Sequence, residues 1–121
     1  MLYIAGMRGL LSIVVAAAGV AISSPVMAGS ASAFTLVNGA GAKIESLSIR
    51  RFGTDAWKPL AGSPSPGARQ HVDFSDPDCA FDIQAKLAGG ATAVWSGVNL
   101  CEVTAVVLNR NASGATWVDY Q

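Results

Sequence analysis

Residues 79 to 87 read CAFDIQAKL. Cys79, Phe81, Ile83, Ala85 and Leu87 fall on one side of a two-residue repeat, and Ala80, Asp82, Gln84 and Lys86 fall on the other. A pleated strand sends successive side chains to opposite faces, so this alternation predicts a half-buried strand with one solvated face. Asp82 is then expected to point away from the core. The Gly89-Gly90 pair follows as a turn, and TAVWSG (92–97) returns as a partner strand presenting Trp95. A hairpin centred on Gly90 pairs residues whose numbers sum to 180, which sets Cys79 opposite Cys101. The alternative is that Ser96-Gly97 bends the second strand or sends it to another sheet. Either route leaves the two cysteines close.

The same signals recur along the chain from Phe34. Short β-branched and aromatic runs are separated by Gly, Pro, Asn and Asp, without a sustained 3.6-residue period. Strands are predicted near 34–38, 43–52, 69–74, 79–87, 92–97, 103–109 and 116–120. Asn38-Gly39 can supply the positive φ of a tight turn. AGSPSPG (61–67) cannot continue a ladder, because its prolines lack an N–H. Seven short strands at this spacing predict an all-β fold, a small antiparallel sandwich, with an open barrel as the alternative.

The first 33 residues have a different character. Arg8 is their only charge, Gly9 to Ile22 is an apolar run, and small residues follow. That order is the order of a secretory signal. Ser23, Ser24 and Pro25 interrupt the run well short of the roughly 20 residues a membrane helix needs, so a retained membrane span is not expected. Cleavage is expected after Val26-Met27-Ala28 or after Ala31-Ser32-Ala33, leaving one domain over 34–121 in the periplasm or outside the cell. From Phe34 onward seven Lys and Arg stand against eight Asp and Glu, a net charge of −1. Neither a nucleic-acid footprint nor an anionic-membrane patch is present in that balance.

Two cysteines in an exported chain read as one disulfide, Cys79 to Cys101. Asp73, Asp76 and Asp78 in DFSDPD are the weak metal candidates. Calcium takes closely spaced carboxylates, but the stretch lacks an EF-hand's glycine and distal Glu, and Asp-Pro-Asp also makes a solvated turn. His71 and Asp73 share a strand face and resemble two members of a catalytic triad, yet no nucleophile elbow accompanies them. Arg50-Arg51 reads as edge-strand protection. Of Trp57, Trp95 and Trp117, at least two are expected to pack rather than to form a binding platform. Asn111-Ala112-Ser113 matches a glycosylation sequon. Nothing points to a cofactor.

The segments FTLVNGAG, LSIRRFGTDAWKPL, PGARQHVDFSDPDCAFDIQAKL and WSGVNLCEVTAVVL together cover nearly all of 34–108. In this combination the chain resembles a group of small exported bacterial β-domain proteins of unknown function. Its most specific pieces are Cys79 with Phe81 and Asp82, and Trp95 with Leu100-Cys101-Glu102. The resemblance implies a paired-cysteine β-domain without an assigned activity. Some of that group carry enzyme names, argininosuccinate lyase among them, but 88 residues of β-structure offer no counterpart to that enzyme's large helical active site. The chain departs from the group in placing Gly89-Gly90 where an acidic residue often precedes Gly. The functional expectation is a non-enzymatic exported module that meets a protein or envelope component, the alternative being a small ligand- or calcium-binding domain built on the Asp73/Asp76/Asp78 turn.

Overall fold

A computed structural model describes residues 30–121 of the chain. The apolar run and the first cleavage point lie outside the described residues. Among the described residues there are eight strands: β1 (Phe34–Gly39), β2 (Ile44–Arg51), β3 (Lys58–Leu60), β4 (Arg69–Val72), β5 (Ala80–Leu87), β6 (Thr92–Asn99), β7 (Ala105–Arg110) and β8 (Thr116–Tyr120). They form two four-stranded sheets, β4-β1-β7-β8 and β3-β2-β5-β6, packed as a sandwich.

The alternation in β5 does what the sequence predicts on its apolar side. Phe81, Ile83, Ala85 and Leu87 are all buried, facing Phe34, Leu36, Val106 and Leu108 of the other sheet within one core cluster. Each large side chain so buried stabilises the fold by about 1.5–3 kcal/mol. Trp95 of β6 is 1% exposed, and its indole Nε1–H donates to the Asn109 carbonyl of β7 at 2.8 Å. The largest side chain in the core therefore ties the two sheets together with its polar atom satisfied.

The all-β sandwich is as the sequence predicts, and four finer expectations need correction. The strands number eight, not seven, because Lys58–Leu60 pairs with β2. Three residues containing a proline carry no strand signal of their own, and Pro59 is tolerated because β3 is a sheet edge. The sandwich is also not wholly antiparallel. β1 pairs antiparallel with β4 but parallel with β7, Thr35 opposite Ala105 through Gly39 opposite Asn109. The chain crosses from one sheet to the other between β6 and β7, so it enters β7 from the same end as β1.

The hairpin register is the third correction. Lys86 lies opposite Thr92 and Ala80 opposite Asn99, two residues and one residue away from a turn centred on Gly90. The tight end is closed by Leu87 N–H to Ala91 C=O at 2.8 Å. The change of register falls at a bulge where Asp82 alone faces Ser96 and Gly97, and Gly97 has φ 65°, a conformation that glycine adopts without steric cost. The bend anticipated at Ser96-Gly97 is this bulge, and β6 stays in the same sheet.

The fourth concerns Asp82, which is 2% exposed instead of solvated. Its side chain does leave the apolar face, but Arg50 and the bulge cover it.

Candidate functional site

Arg50 and Arg51 end β2, a strand flanked on both sides by β3 and β5. The β3 ladder stops at Ile49, so both arginines lie beyond it, paired to β5 alone, and alternation sends them to opposite faces. On the outer face, Arg50 Nε donates to Asp82 Oδ2 at 2.8 Å, and its guanidinium lies 4.4 Å from the Trp57 ring centroid. Gly97 N–H donates to Asp82 Oδ1 at 3.1 Å. Burial alone pushes the Asp82 carboxyl up. Hydrogen bonds from Arg50, the Gly97 N–H and the Ser96 side chain, with the Arg50 charge, outweigh burial and hold it below the ordinary carboxylate value. This cluster is saturated, so it reads as structure.

On the inner face, Arg51 crosses the open end of the sandwich to Asp76, with Nη2 donating at 2.9 Å, and its Nε is 3.7 Å from Asp78. Asp76 Oδ1 also accepts the Asp78 N–H at 2.8 Å. Burial favours the neutral acid here too, but the Asp78 N–H, the Arg51 hydrogen bond and the Arg51 and Lys58 charges together lower the Asp76 carboxyl. Asp73 points elsewhere, its Oδ1 3.1 Å from His71 Nε2 with both side chains exposed. Among the described residues no three carboxylate, histidine or cysteine side chains converge to hold a metal. The Asp73/Asp76/Asp78 turn is thus divided between His71 and Arg51, and Asp76 is a fastened residue rather than a solvated one.

Beside Asp76 lies a groove of about 410 Å³. Ile49, Phe74 and Phe81 form its apolar wall, Thr54 and Ala56 line it too, and Arg50, Arg51, Lys58 and Asp76 bring charge to it, Arg50 being paired with Asp82. Phe74 is held edge-on against Phe81 at 5.1 Å and Phe34 at 6.2 Å. Lys58 sits opposite Ile49 in the β2–β3 ladder, which turns both side chains to the same side of the sheet. Arg51 is neutralised by Asp76, while Lys58 has no ion-pair partner among the described residues. The groove is an apolar slot in which Lys58 is a cation without a direct ion pair among the described residues.

The disulfide joins Cys79 to Cys101 as expected. Trp95 packs in the core and Trp57 against Arg50, leaving Trp117, at 47% exposure, as the accessible one. Asn111 occupies an exposed turn in which its Oδ1 accepts the Ser113 and Ala115 N–H groups. Comparison with protein-family models, curated proteins and solved structures finds no match for this chain. Neither Phe74 nor Lys58 stands out in the sequence. Phe74 sits beside the acidic turn, Lys58 lies in the unforeseen strand, and only the ladder and the sandwich closure bring them together.

Proposed function

We propose that this chain is an exported, non-enzymatic binding module, acting in the periplasm or outside the cell, whose groove seats an apolar group carrying an anionic head. The observation that supports this reading is Lys58, which has no direct ion pair among the described residues, beside the apolar wall of Ile49, Phe74 and Phe81. Such a slot gains apolar burial and one charge-assisted hydrogen bond from the same ligand. The Cys79–Cys101 disulfide is compatible with an oxidising compartment, and the leader-like N-terminus supports export. A non-enzymatic role is supported by His71, whose one side-chain partner among the described residues is Asp73, with no hydroxyl or thiol hydrogen-bonded to it. The calcium alternative is disfavoured by Arg51, which already occupies the Asp76 carboxylate.

Isothermal titration with decanoate, and with decyltrimethylammonium as the charge-inverted control, tests the proposal. Saturable binding is expected for decanoate and not for the cation. Lys58→Gln should weaken it at least about tenfold, the low end of the roughly 1.5–3 kcal/mol that one charged hydrogen bond is worth. Ala56→Trp, at an exposed groove position, should block it. No decanoate binding, or equal binding of both amphiphiles, refutes the reading.

A further inference from the structure

The segment before β1 is built into the fold. Ala31 is 2% exposed and belongs to the core cluster. It makes antiparallel bridges to Asp76 and to Cys101, so it lies between the acidic turn and the disulfide. Its N–H donates to the Asp76 carbonyl at 2.8 Å, and its carbonyl accepts the Asp76 N–H at 3.2 Å. Asp76 in turn lines the groove through its pair with Arg51. Ser32 and Ala33, by contrast, are exposed.

The two small-residue motifs are therefore not equivalent. A chain cut after Ala33 loses Ala31, which empties a core position and leaves both backbone groups of Asp76 without their partner. A chain cut after Ala28 keeps it. Val26 and Ala28 supply the small residues that a signal peptidase reads at the third and first positions before its cut, just past the break at Pro25.

We infer that export processing cleaves the Ala28–Gly29 bond, so that the mature protein begins at Gly29 and keeps Ala31 as a strap across the Asp76 turn. The inference rests on the export reading above. The step is a hydrolysis: one water adds across the amide, its hydroxyl going to the Ala28 carbonyl carbon and its hydrogen to the Gly29 nitrogen. Ala28 leaves as the carboxyl end of the leader, and Gly29 becomes the new amino terminus.

Expression of the full chain in an exporting bacterium, followed by intact-mass measurement and N-terminal sequencing, tests this. The expected terminus is Gly29. Ala28→Leu should accumulate as uncut precursor, because the position before the cut accepts only small side chains. Ala33→Leu, at an exposed position outside the strands, should be processed like the wild type. A terminus at Phe34, or precursor accumulation in Ala33→Leu rather than Ala28→Leu, overturns the inference and leaves the export reading intact. A wild-type chain that keeps Met1 overturns both.

Discussion

Replacing Asp82 by alanine is the sharpest test of how this sandwich is held. The carboxylate is 2% exposed and accepts hydrogen bonds from Arg50 Nε at 2.8 Å and from the Gly97 N–H at 3.1 Å, with the Ser96 side chain adding to them. The bond to the charged guanidinium is worth about 1.5–3 kcal/mol. The orphaned Gly97 N–H adds less than the usual ~1–3 kcal/mol for an unsatisfied buried donor, because Gly97 lies on the exposed side of the bulge. Arg50 is a quarter exposed and keeps Asp55 at 3.4 Å and Trp57 beneath it, so its charge is not stranded. Together these give a loss of about 2–4 kcal/mol. For a domain of this size that lowers the thermal midpoint by roughly 10–25 °C. Asp82→Asn keeps an acceptor for Gly97 and should lose less than half as much. Thermal and urea unfolding of both variants, with an Arg50→Met/Asp82→Ala double-mutant cycle, measures the pair directly. A loss under about 0.5 kcal/mol for Asp82→Ala, or a cycle showing no coupling, refutes the claim that this pair closes the outer face over the bulge.

Two further outcomes follow from the fold. The disulfide closes a loop with sequence separation 22, so reduction, or Cys79→Ala with Cys101→Ala, should cost about 3 kcal/mol. Two titratable thiols in unreduced protein, or an undiminished melting midpoint in the double variant, would refute it. Asp76 and Asp82 both have carboxyls held below their ordinary value. Their contribution is fully present above the unfolded carboxylate value of about 3.9 and is lost as pH falls through the lower folded values. Melting midpoints should therefore hold between about pH 7 and 5 and drop below about pH 4, with a shallower drop in Asp82→Asn. A midpoint that rises on acidification contradicts the sign.

The legible parts of the fold were those that a local pattern decides. The β5 alternation, the glycine turn after it and the cysteine pairing could all be read because period, turn chemistry and cysteine number are visible in the sequence itself, whereas which of the three tryptophans is buried was not. Asp82 defeated the same logic. Its face was read correctly, but its cover is Arg50, 32 positions away in sequence, and no local rule anticipates a cation lying over an acid. β3 has only three residues and exists because β2 offers it an edge. The parallel β1–β7 pairing is a property of how the chain changes sheets, which alternation within either strand does not encode. The groove was hidden for the same reason. Its parts come from β2, β3, β5 and the connections around them, and separately each is an ordinary hydrophobe or charge.

The question posed by DFSDPDC is answered by the number of ties on it. Between β4 and β5 the chain has no ladder of its own, and fixing one residue's backbone costs about 1–2 kcal/mol. A mere connection needs no compensation for that cost, since it can remain loose. This one is fastened four ways: by the disulfide at Cys79, by the two-way backbone bridge of Asp76 to Ala31, by the Arg51–Asp76 pair, and by Phe74 edge-on between Phe34 and Phe81. The ties come from the covalent, backbone, ionic and aromatic repertoires, so no single change of solvent releases them all. The segment they immobilise forms one wall of the groove beside Lys58. A wall already ordered in the free protein loses little further entropy when a ligand arrives. That arrangement suits the preformed slot proposed above, and it accounts for Asp76, whose charge is spent on Arg51 in holding the loop.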